Sequence, residues 1–288
     1  MIKLNDVSYT YMGGGPFEKA AVMNIDATLN TGDFIGLMGH TGSGKSTLIQ
    51  MISGLIKPTS GSIEIDGKTL HQKGCDMKKM RFKTGLVMQY PEYQLFEETV
   101  FRDIAFGPTN MGLSKAEVKR RVESAASLVG LDEKILEKSP FELSGGQKRR
   151  VAIAGVLAME PQILILDEPT AGLDPKGRDE ILSKIREMHK KLGITVILVS
   201  HSMEDLANLT DRIMVLNHGR LSMFDKTSEI FKRTEELKSM GLSVPEVTEI
   251  CNKLKKKGLP IPDGIYTIDA AKAEIERALM GKGGKGNA

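Results

Sequence analysis

The stretch Gly39-His40-Thr41-Gly42-Ser43-Gly44-Lys45-Ser46-Thr47 follows the apolar run Asp33–Met38, "DFIGLM". A strand that ends in a glycine-rich turn and reopens as a helix at Lys45 fits the pattern of a phosphate-binding loop. Glycine lets the backbone wrap closely, so that several N–H groups point at one phosphate. The helix that starts at Lys45 adds the positive end of its dipole. On this reading Gly39, His40, Thr41, Gly42, Ser43, Gly44, Lys45, Ser46 and Thr47 form the nucleotide-binding set. Lys45 bridges the β- and γ-phosphates of ATP and Ser46 ligates Mg²⁺. His40 has no assignable role within the loop and is expected to be solvated.

A second apolar run, "ILIL" at 163–166, ends in Asp167-Glu168. Two carboxylates at the end of a buried strand are costly unless they meet a cation. Asp167 is therefore the candidate Mg²⁺ ligand, and Glu168 the general base that polarises an attacking water. A third run, "TVILVSH" at 195–201, ends at His201. Short apolar runs alternating with helical patterns predict a mostly parallel sheet. "GSIEIDG" (61–67) and "RIMVLNHGRL" (212–221) read instead as antiparallel hairpin pieces.

Composition bounds the function classes. The chain has 288 residues, a formal charge of +3, 40% hydrophobic and 27% charged residues. That charge is too small to demand nucleic acid as a partner. The two cysteines, Cys75 and Cys251, lie far apart without metal-type spacing, which argues against a disulfide scaffold and fits a reducing compartment. No apolar run approaches the roughly 20 residues that span a bilayer, and no signal peptide is expected. The chain is expected in the cytosol or on the cytoplasmic face of a membrane.

Ser114 and Glu117 form a capping-box pattern before Val118, Val122, Ala125 and Val129, which recur at helical steps. Residues 92–158 are read as a helical subdomain inserted in an ATPase domain spanning 1–225. Residues 226–280 are expected to form a C-terminal helical dimerisation region and 281–288 a disordered tail.

Leu143-Ser144-Gly145-Gly146-Gln147 opens another helix, and its hydroxyl and glycine N–H groups offer a second anion site. These residues resemble the signature of ATP-binding cassette (ABC) ATPases, with the other motifs in family order over residues 1–225. The resemblance implies a P-loop NTPase, an α/β fold with a RecA-like core, an antiparallel β subdomain and the inserted helical subdomain. It implies that Ser144, Gly145, Gly146 and Gln147 of one protomer close on ATP held by another. It further implies that Gln89 senses the γ-phosphate and Mg²⁺, that Asp174 of "AGLD" crosses to the partner's site, and that His201 contacts the γ-phosphate. Adenine is expected to stack on Tyr11, which precedes Gly39 by 28 positions (39 − 11) across the insertion "GGGPFEKAA", with Tyr9 as the competing ring.

Two departures narrow the family. The run after the signature, Lys148-Arg149-Arg150-Val151-Ala152-Ile153-Ala154-Gly155, has Gly155 where most members have arginine. With "YPEYQLFEETVFRDIAFGP" this resembles the ATPases of energy-coupling factor (ECF) transporters, importers of vitamins and transition-metal ions, and most closely the second of their two paralogues. The resemblance implies a partner ATPase, with a heterodimer expected and a homodimer possible. It also implies a membrane scaffold and an exchangeable substrate-binding membrane subunit. A helix of the scaffold would enter a groove at Tyr90, Glu92, Tyr93, Leu95 and Phe96. Glu92 would meet a basic residue of that helix, whereas Phe96 is expected to pack on its own subdomain. Three other readings stand beside this one: another transporter class, a repair or regulatory ATPase recovered with DNA or soluble partners, and a kinase active as a monomer.

Overall fold

The structure is a computed structural model and describes residues 1–283. In chain order its strands are β1 (Ile2–Tyr11), β2 (Lys19–Leu29), β3 (Phe34–Met38), β4 (Ser60–Ile65), β5 (Lys68–Thr69), β6 (Thr84–Val87), β7 (Ile163–Asp167), β8 (Thr195–Val199), β9 (Arg212–Asn217) and β10 (Arg220–Lys226). The helices are α1 (Lys45–Ile52), α2 (Met77–Lys83), α3 (Val100–Asn110), α4 (Lys115–Leu128), α5 (Gly145–Leu157), α6 (Pro175–Leu192), α7 (Met203–Leu209), α8 (Thr227–Lys232), α9 (Thr234–Ser239), α10 (Glu246–Lys256) and α11 (Ile268–Gly283).

The central sheet has the order β10-β9-β3-β8-β7-β6. Every pairing in it is parallel except that of edge strand β10 with β9. β3 and β8 are buried along their whole length, as expected of strands covered on both faces. Their register places Asp167 opposite Val199 and Leu37 opposite Val199 on the other side. The C-terminal ends of β3, β7 and β8 therefore finish at one edge, where a parallel sheet presents its ligand crevice. A second, antiparallel sheet has the order β2-β1-β4-β5. The antiparallel expectation for 212–221 needs refinement: β9 and β10 do form a hairpin, but β9 also joins the central sheet parallel to β3.

In the helical subdomain Val118, Val122 and Ala125 bury one face of α4. Ser114 accepts from the Glu117 amide at 3.3 Å, yet the Glu117 carboxylate binds Arg120 and Arg121 and does not return to the cap. The capping box predicted there is thus only half made, because two arginines one turn on outcompete a single backbone N–H. A complete box occurs instead at Ser144 and Gln147 of α5. A Cβ on Gly155 would lie 3.7 Å from the Asp103 carbonyl oxygen and 3.9 Å from the Ile104 Cα. α5 and α3 therefore lie close at Gly155, with room for a methyl group but not for a long side chain.

The main core reaches past the expected boundary at 226. Ile230, Phe231, Leu237 and Val244, from α8 through the segment before α10, belong to it. Only Cys251, Ile261, Ile265, Ala271 and Ala278 form a separate small core. The expected tail also starts too early, since α11 runs to Gly283; residues 284–288 lie outside the described residues.

Candidate nucleotide site

The loop after β3 folds back onto the chain in a way only glycine permits at Gly44. Its φ is 100°, and a Cβ there would collide with the Ala21 carbonyl oxygen of β2. The Lys45 ammonium donates to the carbonyls of Gly39 at 2.7 Å and His40 at 3.2 Å. Burial lowers the Lys45 pKa, and the negative charges of Glu168 and Asp167 oppose that shift.

Thirteen residues line a pocket of about 370 Å³ at this edge, and the sequence reading had singled out eleven of them. They are Tyr11, Thr41, Gly42, Gly44, Lys45, Ser46, Thr47, Gln89, Asp167, Glu168 and His201. Sequence reasoning missed Lys19 and Ala21, which β2 delivers because it pairs with β1 at Tyr11. The alternation in "KAAVMNIDATL" was the available signal for that strand. Between the two candidate rings, Tyr11 reaches the pocket and its hydroxyl lies 3.1 Å from Thr47 Oγ1. Tyr9 packs against the core and meets Tyr11 edge-on at 4.8 Å.

Glu168 adopts φ 50°, a conformation that costs a non-glycine residue about 1–3 kcal/mol. Its Oε1 is buried without a hydrogen-bond partner. Burial, reinforced by the charge of Asp167, pushes its pKa up to about 7. The His201 Nε2 lies 3.5 Å from that oxygen, and burial followed by the Lys45 charge lowers the His201 pKa. Burial also raises the Asp167 pKa, against the pull of Lys45.

The remaining expected residues lie away from the pocket wall. Gly39 and Ser43 are buried within the loop. His40 is half-buried, less solvated than expected. Its Nδ1 lies 2.8 Å from the Thr41 carbonyl oxygen, its Nε2 is buried, and its ring sits 4.8 Å from that of His218. Ser144, Gly145, Gly146 and Gln147 do not line the pocket, and neither does Asp174. The Ser144 hydroxyl accepts from the Gln147 amide at 3.3 Å, and Asp174 caps α6 through the Gly177 amide at 2.9 Å.

The ABC transporter family pattern matches residues 22–171. The energy-coupling factor transporter ATP-binding protein EcfA2 of Caldanaerobacter subterraneus subsp. tengcongensis is 54% identical over 97% of this chain and 98% of its own length. Its namesake from Clostridium acetobutylicum is 57% identical over 96% of this chain and 98% of its own. This chain belongs to the ECF branch of the ABC ATPases. Among solved structures, cbiO1 from Clostridium perfringens, part of the ABC transporter complex cbiONQ, shares 38% identity at a TM-score of 0.74. That match covers 87% of this chain and 98% of cbiO1. The cassette MJ0796, in a dimeric post-hydrolysis state bound to ADP and Pi, shares 31% identity over 78% of this chain at a TM-score of 0.70.

In this ECF ATPase the segment after Gln89 departs from two expectations. Glu92 does not await a foreign cation, because it pairs with the chain's own Arg149, Oε1 to Nη2 at 2.6 Å. Phe96 is 59% exposed and meets Phe106 edge-on, whereas Leu95 packs against the core. Tyr93 is 84% exposed. A groove of about 460 Å³ opens here, lined by Glu92, Tyr93, Leu95, Pro140, Phe141, Gly145 and Lys148. Pro140, Phe141 and Lys148 were not foreseen. Phe141 comes from the turn Pro140–Glu142 and Lys148 from α5, which packs against the 3₁₀ turn Pro91–Gln94.

Proposed function

We propose that this chain is the ATP-hydrolysing subunit of an ECF importer, coupling hydrolysis to uptake of a micronutrient through a membrane scaffold. One observation carries the reading. Lys45, Gln89, Asp167, Glu168 and His201 converge on one pocket, while the signature turn opens an exposed helix start elsewhere. A site divided in this way is completed by a second cassette.

The donor set fits Mg²⁺: the Ser46 hydroxyl, the Gln89 amide oxygen and the Asp167 carboxylate are hard oxygen ligands around one pocket. Bound there with ATP, the ion supplies neutralisation of phosphate charge. The chain's own residues do the rest. Lys45 exchanges its loop carbonyls for phosphate oxygens, and Tyr11 offers its ring to adenine. Glu168, poised near neutrality, takes the proton of the attacking water, and neutral His201 orients the γ-phosphate beside it. This chain's own signature, where the Ser144 hydroxyl accepts from the Gln147 amide, must release that cap to bind phosphate held by the second cassette. The paralogous ATPase supplies that second cassette, and α10 and α11, with Ile250, Ile268, Leu279 and Met280 exposed, form the contact between the two. The groove at Tyr93 receives a scaffold helix, so the protein works on the cytoplasmic face of the membrane. No helix among the described residues is long and apolar enough to cross that membrane.

Purification from its membranes in mild detergent, followed by mass spectrometry, is the test. A second cassette and membrane subunits should co-purify, and Tyr93→Ala with Phe96→Ala should release the membrane subunits but keep ATP binding. Recovery with DNA or only soluble partners would replace this reading with a non-transport one.

A further inference from the structure

Arg149 is the largest fully buried side chain among the described residues, at 2% exposure. Its guanidinium joins three segments that are distant in sequence. Nε and Nη2 donate to the two carboxylate oxygens of Glu92 at 3.1 and 2.6 Å. Nη1 donates to the carbonyls of Pro169 at 3.2 Å and Ala171 at 2.6 Å. The arginine itself rides on α5, five residues after the signature serine. A bidentate fork of this kind fixes direction as well as distance, which an ammonium cannot do. Beside it, the Tyr90 ring packs on Gly172, 3.8 Å from where a Cβ would stand.

We propose that Arg149 is a positioning residue through which the docking segment at 90–92 sets the geometry of the loop 169–174. That loop leaves the general base Glu168 directly and leads to Asp174. Its turn is held by only two local amide bonds, Ala171 to Glu168 and Leu173 to Thr170. The outer support for its carbonyls is the guanidinium, which Glu92 holds in place. A shift of Glu92 therefore moves the Pro169 and Ala171 carbonyls, and with them the peptide that aims Glu168. The direction of the signal, from scaffold to base, rests on the function proposed above. The link within the chain does not.

Hydrogen exchange on the full-length protein tests it. Glu92→Gln turns one acceptor of the fork into a donor and should speed exchange of the Ala171 and Leu173 amides at least fivefold. The amides of β7 and β8 should stay protected, and Glu98→Gln, which breaks an exposed pair with Arg102, should change neither. Arg149→Lys should reproduce the effect, and the double variant should exceed neither single one. In ATP turnover the two variants should lower kcat severalfold and leave KM within about twofold. Unchanged exchange at 171 and 173, faster exchange throughout the sheet, or additive effects would overturn the link. Failure to capture membrane subunits would overturn the transport reading and leave the exchange result standing.

Discussion

Glu168 holds a left-handed backbone, an unpartnered buried oxygen and a pKa of about 7 at once. Its folded-state value lies above the ordinary 4.5, so ionisation is harder in the folded protein. Stability therefore falls as pH rises between about 4.5 and 7. Glu168→Gln should raise Tm at pH 8, by the equivalent of about 1–3 kcal/mol, and the gain should vanish at pH 5. Thermal melts of both proteins without nucleotide would check this. With Glu168 as the proposed base, kcat should climb as pH passes through about 7, where its carboxyl becomes ionised. Glu168→Gln should cut turnover by roughly 10²–10⁴ and leave ATP trapped between cassettes, visible as a stable dimer on gel filtration. The pair Asp167-Glu168 was legible from its place at the end of an apolar run. Its protonation poise was not, because desolvation comes from the neighbouring strand ends.

Among the elements, α5 meets α3 at Gly155, where the space limits the size of the side chain. The backbone of α3 lies within ordinary contact distance of a Cβ at Gly155. Gly155→Ala should thus be neutral or stabilising by up to about 1 kcal/mol, the helix-propensity gain. Gly155→Arg should push α3 away and cost about 1–3 kcal/mol or more. Denaturant unfolding of the two variants separates these outcomes in sign. The amphipathic period of α4 was readable from Val118, Val122 and Ala125. Where Glu117 spends its charge was not, since arginine and backbone amide offered rival partners one turn apart.

At the scale of the whole molecule, the C-terminal helices divide between two cores. Phe231 is fully buried in the main core, so Phe231→Ala should cost about 3–5 kcal/mol. Truncation after Pro245 removes the small core around Cys251 and the Tyr266 ring that packs on Phe231, but leaves the buried main core intact and should leave a folded chain that binds ATP. Truncation after Lys226 strips Ile230, Phe231 and Leu237 from the main core and should abolish folding. Circular dichroism melts and ATP-binding titrations of the two truncations would distinguish them.

By itself the sequence determined the phosphate loop, the three strands that feed it, the carboxylate pair and the order of the cassette motifs. These are local patterns of turn chemistry and periodicity, written in contiguous residues. Only the tertiary structure decided that Tyr11 and not Tyr9 reaches the pocket, that Lys19 and Ala21 join it, and that His40 turns inward to His218. It alone paired Glu92 with Arg149, 57 residues away, where the sequence reading had reserved Glu92 for a partner. The physical reason is burial: a charge enclosed by packed elements takes the nearest opposite charge, and which one is nearest depends on the three-dimensional fold.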